Sequence, residues 1–292
     1  MTRFLDVRLW RVGGELAKTV AVNQGTDIDN YTGLLLSDLT NTIRGQHVLI
    51  ATHGFNVNRS NGINCLSNWE GLLQFPPSST FVGLLWPGDS IWLHGLDYPE
   101  EPKVADEAGA LLGPYIDKNF AGAASVSFAS HSLGARVVLS TIAHMNLPVR
   151  RLILMAGAVD DDCLTNEFQE VTAKVEQISV LSSIKDEVLS FCFPAGNFVA
   201  GFLDVGHPWW RAAVGHCGPE SQWPANLRAP FAIPEDWNYQ HGDYLHIDGP
   251  PPDVPVLPIP TDIPGDGSPY PAGKAQGWSE AFSAAFASTR FR

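Results

Sequence analysis

Apolar residues along this chain fall into two alternating periods. Short runs rich in β-branched side chains, His47-Val48-Leu49-Ile50-Ala51-Thr52, Thr80 to Trp86, Ala124 to Ala129 and Gln177 to Leu181, read as strands. Arg150 to Ala156 contains a continuous apolar run of the kind buried on both faces of a sheet. Between them lie helical patterns. Asn58 to Phe75 carries Ile63, Leu66, Trp69, Leu72 and Leu73 at helical spacing, and Pro76-Pro77 stops it. Residues 33–43, Val104 to Phe120, Leu133 to Met145 and Thr165 to Val175 predict further helices. At the start, 4–12 and 15–22 read as two strands joined by Gly13-Gly14, and the charged–apolar alternation of Met1 to Trp10 predicts an edge strand. Strands that alternate with helices at this spacing call for an α/β fold, a parallel sheet linked by right-handed crossovers.

Past residue 190 the pattern changes. Residues 191–240 carry Phe191, Phe193, Phe198, Phe202, Trp209, Trp210, Trp223, Phe231, Trp237 and Tyr239, a density that suggests an inserted lid or cap. Residues 249–274 hold nine of the 22 prolines and read as an extended surface segment. Trp278, Phe282 and Phe286 then recur every fourth position, which predicts a docked helix over 275–290. All of this fits one domain spanning 1–292.

A formal charge of −13 narrows the partners. Nucleic acid and anionic membrane surfaces need clustered Lys and Arg, and no basic run here exceeds two residues. No stretch reaches the roughly 18 apolar residues of a membrane span, and the first residues lack the apolar core of a signal peptide, so residence in the cytoplasm is the expectation. Cys65, Cys163, Cys192 and Cys217 are scattered, which indicates neither a zinc site nor a disulfide framework. No metal site is expected.

The chemistry concentrates at residues 126–138, V-S-F-A-S-H-S-L-G-A-R-V-V, where an apolar strand runs without a gap into a helix start. A serine on such a turn, with small residues two places either side, is a nucleophile elbow, because a larger side chain there would strike the neighbouring backbone. Ser132 has Gly134 on one side and Ser130 on the other, where the usual pattern has glycine. Two other readings stand beside this one: Ser132 as a helix cap, and Ser130 as the nucleophile, with less suitable neighbours in Phe128 and Ser132. About 80 residues upstream, the strand at 46–52 ends in His53-Gly54-Phe55-Asn56, a loop whose glycine opens the backbone.

Together these features resemble the α/β-hydrolase superfamily, in its serine esterase and lipase-like members. The similarity is greatest to a bacterial branch with an H-G-F-N loop, a W-P-G or W-P-S strand end and an S-H-S-x-G-A-R elbow. Here those are His53 to Asn56, Trp86-Pro87-Gly88 and Ser130 to Arg136. The resemblance covers about residues 45–190 best. It implies a mostly parallel central sheet of about eight strands with helices on both faces, and a Ser–acid–His triad in that chain order.

On that order Ser132 is the nucleophile, and its developing oxyanion needs two backbone N–H donors, which the resemblance assigns to Phe55 and Leu133. The polar loop around His241, Gln240-His241-Gly242-Asp243, resembles the family's histidine loop; His216 and His207 are the alternatives, and His144 lies too far along its helix. Lys185-Asp186-Glu187-Val188-Leu189 resembles the acid loop and nominates Asp186, with Asp160, Asp161 and Asp162 as the alternative. Asp243 is too near His241 in sequence to orient it, His131 is expected to pack behind the elbow or bond locally, and His53 to shape its loop. The pocket is expected to be walled by Trp86, Tyr98, Phe198, Phe202, Trp209 and Trp210, with Trp92 and Trp223 nearby. The implied activity is hydrolysis of a small-molecule carboxylic ester, apolar in its acyl or aryl part, with no cofactor. Acyl transfer, amide cleavage or a non-catalytic binding protein on the same fold are the competing readings.

Overall fold

The computed structural model of the protein describes residues 1–9, 15–73, 77–88, 101–190, 212–219, 224–228, 232–233, 235 and 238–244. Within them the apolar runs become strands: β1 Thr2–Arg8, β2 Leu16–Gly25, β3 Thr32–Gly33, β4 His47–Thr52 and β5 Ser79–Leu85. They continue with β6 Ser125–His131, β7 Val149–Met155, β8 Val175–Leu181 and β9 Leu227–Arg228. All join one sheet in the order β3-β2-β1-β5-β4-β6-β7-β8-β9. Every pairing from β1 through β9 is parallel; only β2 and β3 run antiparallel to their neighbours. In β4, β6 and β7 the residues Val48 to Thr52, Val126 to Ser130 and Leu152 to Met155 are buried, as a strand covered on both faces requires.

β1 is not an edge strand. It lies between β2 and β5, with only Arg3 of its seven residues less than fully buried. The charged residues that suggested an edge are instead paired inside. Asp6 accepts from Arg59 Nη1, from the Tyr31 hydroxyl at 2.8 Å and from the Arg8 N–H at 2.9 Å. Arg8 in turn donates to two carbonyls, Val57 O at 2.8 Å and Trp86 O at 3.1 Å. Alternation reports exposure only when the polar residues have no partner to follow them inward.

Among the described residues, four helices of eight or more residues connect the strands: α1 Leu36–Ile43, α2 Arg59–Leu72, α3 Glu101–Asn119 and α4 Gly134–Ala143. Asn58 caps α2, its side chain accepting from the Asn61 N–H. The helix expected over 165–175 is shorter: turns occupy 161–168, and one helical turn forms at Gln169–Thr172. Chain direction across the sheet decides where the site sits. From β4 the chain steps through α2 to β5 on one side, whereas from β6 it steps through α4 to β7 on the other. Right-handed crossovers therefore place α2 on one face and α4 on the opposite face. The reversal leaves a crevice at the carboxyl ends of β4 and β6, the place where ligands bind in open α/β sheets. His53 follows β4 there, and Ser132 follows β6. No helix among the described residues is long and apolar enough to cross a membrane. The Gly13-Gly14 turn, most of the expected lid, the proline-rich segment and the terminal helix lie outside the described residues.

Candidate active site

Ser132 sits between β6 and α4 with a φ of 53°, in the left-handed region that costs a non-glycine residue about 1–3 kcal/mol. Three backbone bonds hold it there. Its N–H donates to Met155 O at 3.0 Å, and its carbonyl accepts from Ala135 at 3.0 Å and from Ala158 at 3.1 Å. The small neighbours are required for distinct reasons. A Cβ on Gly134 would lie 2.4 Å from His53 O, so the β4 loop and the start of α4 touch backbone to backbone. Ser130 is fully buried, and its hydroxyl turns to Ile153 O on β7 at 3.4 Å, away from the neighbouring serine's partner. Leu133, just ahead of α4, has an N–H for which the helix supplies no acceptor.

The loop after β4 passes directly against the serine. A Cβ on Gly54 would meet Ser132 Cβ at 2.6 Å and Ser132 Oγ at 3.2 Å. His53 is wholly buried; its Nδ1–H donates to Gly54 O at 2.9 Å, and its Nε2 has no partner among the described residues. Burial first, and the Arg8 charge second, push its pKa down to about 3, so the ring is neutral at ordinary pH. Trp86 supports this loop from behind. Its indole N–H donates to His53 O at 3.0 Å, and its ring stacks on the imidazole with centroids 5.9 Å apart. Trp86 has no exposed surface, so the expectation that it faces a pocket is corrected: the indole bonds the loop from the core side.

The acid and the histidine come from the next two loops. Asp186 follows β8 and is fully buried, with Oδ1 accepting from the Leu189 N–H at 2.9 Å. Its Oδ2 lies 2.8 Å from His241 Nδ1. His241 begins a 3-10 turn, His241–Tyr244, and its Nε2 lies 2.9 Å from Ser132 Oγ. A donor from Ser183 Oγ to Tyr239 O at 2.7 Å ties the two loops together. Asp243 accepts from the Gln240 N–H at 2.7 Å and so caps the turn.

The alternatives lie elsewhere. Asp162 accepts from Asn166 within its own turn at 3.2 Å, and Asp160 and Asp161 engage Ala213 and Ala212 through the backbone. His216 is on the one-turn helix Val214–Cys217, packed against β7's end so closely that a Cβ on Gly215 would lie 2.2 Å from Ala156 C. His144 bonds back to Ser140 O at 2.8 Å. His207, Trp92, Tyr98, Phe198, Phe202, Trp209, Trp210 and Trp223 fall outside the described residues.

One contact was not legible. His131 does not bond locally: its Nε2 lies 2.7 Å from the carbonyl oxygen of His241, 110 residues away, and the two rings stand 4.8 Å apart. Burial, then the His241 charge, lower its pKa to about 3, so it stays neutral and Nε2 carries the donated proton.

A family model described as an α/β hydrolase of unknown function, DUF900, matches residues 34–204. That is more than half of the 292 residues. The chain belongs to this α/β-hydrolase family. The match takes in the His53 loop, the Ser132 elbow and Asp186, and ends before His241. Among solved structures, an uncharacterized protein from Bacillus cereus is 19% identical, with a TM-score of 0.38, over 69% of this chain and 55% of that one. The match therefore spans about half the length of that relative. Esterase PE8 is 15% identical with a TM-score of 0.33, over 50% of this chain and 73% of its own. Phospholipase PlaB from Legionella pneumophila, in complex with thio-NAD, is 14% identical with a TM-score of 0.30, over 47% of this chain and 38% of its own. A search of curated proteins finds no match to the chain.

Proposed function

We propose that the protein is a serine hydrolase that cleaves a carboxylic ester through an acyl-enzyme on Ser132. The observation that carries this reading is the unbroken line from Ser132 Oγ to His241 Nε2 at 2.9 Å and from His241 Nδ1 to a buried Asp186 at 2.8 Å. A serine hydroxyl is a weak nucleophile until a base accepts its proton, and the base must carry its own proton on the nitrogen facing the acid. With Nδ1–H donated to Asp186, Nε2 is left as the acceptor that Ser132 requires.

His241 takes the Ser132 proton as Oγ bonds to the ester carbonyl carbon, and the carbonyl electron pair moves to oxygen. The N–H groups of Phe55 and Leu133 receive that oxyanion. Collapse expels the alkoxide, which leaves as an alcohol with the proton from His241. Water then repeats the sequence on the acyl group, releasing the acid and returning the proton to Ser132. Asp186 keeps its bond to the His241 Nδ1–H and supports the imidazolium at each stage.

We assign the pocket to an apolar acyl or aryl group, on the aromatic composition of 191–240. The described residues that flank 191–211 belong to the same rim: Ser190 N–H bonds to Asp186 O at 3.1 Å, and Ala212 O accepts from Asp161 at 3.0 Å. Chromogenic esters of graded chain length, with Ser132→Ala as control, test the reading. Turnover abolished by the substitution supports it. Turnover of amides or transfer to an added alcohol in preference to water would recast the same residues as an amidase or acyltransferase.

A further inference from the structure

The residue beside the nucleophile is left without a task in that scheme, yet it touches both the histidine turn and the loop after β4. His131 is the last residue of β6, so its backbone is fixed by the elbow itself. Its Nε2–H reaches His241 O at 2.7 Å. Its Nδ1 lies 3.2 Å from the point where a Gly54 Cβ would stand, so the ring also bears on the loop after β4. Tyr244, at the far end of the histidine turn, packs on it with ring centroids 5.9 Å apart.

The need for such a residue follows from how His241 is held. Its turn is one 3-10 turn long, and such turns are poorly self-supporting. Asp186 fixes the ring through Nδ1, but a bond at one ring atom leaves the backbone that carries it able to shift. The His241 carbonyl has a second lone pair beyond the one its own turn uses, and the donor that reaches it comes from the end of β6, immediately before Ser132. We infer that His131 is a positioning residue: its Nε2–H clamps the His241 backbone to the strand bearing the nucleophile, so base and nucleophile keep one spacing. The ring takes no part in proton transfer. This inference rests on the Ser132 hydrolase reading and adds a residue to it.

Two substitutions separate the donor from the bulk of the ring. Gln places an amide N–H about where Nε2–H stands, whereas Leu keeps volume and removes the donor. For His131→Leu, kcat falls about 10- to 100-fold, because a displacement of an ångström at the reacting centre costs about that much, while KM stays within about 2-fold. His131→Gln recovers most of the loss, and fluorophosphonate labelling of Ser132 follows the same order. The downfield proton resonance of the His241–Asp186 bond broadens or disappears in His131→Leu and returns in His131→Gln. Should His131→Leu fail to fold, His131→Asn serves, since its shorter amide cannot reach His241 O. Wild-type kcat in the Leu or Asn variant, or equal loss in the Gln variant, overturns the clamp. Failure of the underlying reading is distinct: the wild-type protein itself would then resist fluorophosphonate, whereas the proton resonance would still report on the clamp.

Discussion

Gly54 and Ser132 approach so closely that a methyl group on the glycine would stand 2.6 Å from the serine Cβ. The residue type at 54 is therefore dictated by Ser132, 78 positions later in the chain. Gly54→Ala must displace either the loop that carries Phe55 or the serine itself. Overpacking of this kind costs about 1–3 kcal/mol, and the expected loss of kcat/KM is at least about 10-fold because both groups belong to the proposed reacting centre. Thermal melting and ester kinetics on one preparation separate the two effects. Wild-type kinetics would mean that the loop does not set the geometry of the site.

Ser130 offers a control from inside the same motif. Its hydroxyl makes one long bond of 3.4 Å to Ile153 O. Ser130→Ala is expected to keep turnover and labelling near wild type and to lose about 1 kcal/mol or less of stability. Ester hydrolysis and denaturant midpoints check both. Loss of labelling in this variant would move the nucleophile two residues upstream.

Asp186→Asn should leave the fold intact while turning the His241 tautomer the wrong way. In the Ser–His–Asp template this exchange lowers kcat by about 10⁴, and a fall of that order is expected in steady-state assays with a chromogenic ester. An effect under about 10-fold would remove Asp186 from the chemistry.

Arg8 spans from β1 to Val57 O and Trp86 O, either side of the His53 loop. Arg8→Met leaves those carbonyls without the guanidinium donor, while Asp6 keeps the backbone N–H of residue 8. A buried acceptor left without its donor costs about 1–3 kcal/mol, read as a lower urea midpoint at unchanged m-value. A loss below about 1 kcal/mol would show that water replaces the guanidinium without penalty.

Stability should also fall in mild acid. His53 and His131 are held neutral down to about 3, against an ordinary value of 6.5. Below 6.5 the unfolded chain binds protons that the folded protein refuses, so each group lowers stability as pH drops from about 6.5 toward about 3. The slope approaches about 1.4 kcal/mol per pH unit for each group at most. Urea midpoints at several pH values, repeated with His53→Gln, measure it; a flat profile between neutral pH and mild acid contradicts the neutral, buried state.

Much of this arrangement was legible in the sequence because the elbow and the His-Gly loop are local demands of backbone geometry. Ser132 must take a positive φ, and Gly134 must admit His53 O, so both leave a signature within a few residues. Asp186 and His241 were reached through chain order, and they meet although 109 residues separate His241 from Ser132. What could not be read is pairing at long range. The alternation in β1 suggested exposure because Arg59 and Tyr31, which draw Asp6 inward, lie 53 and 25 residues away. His131 was expected to pack behind the elbow or bond locally; its distant partner could not be read, since a backbone carbonyl carries no residue signature. Trp86 follows a strand near the site, but its side chain is fully buried and its indole N–H bonds the His53 loop.

The central claim is that Ser132 becomes covalently acylated. Treating the native protein with a fluorophosphonate and locating the adduct by peptide mass spectrometry tests it most directly. One adduct per chain on Ser132, lost in Ser132→Ala and strongly slowed in His241→Ala, is the predicted result. No adduct, or an adduct on any other residue, would contradict the account.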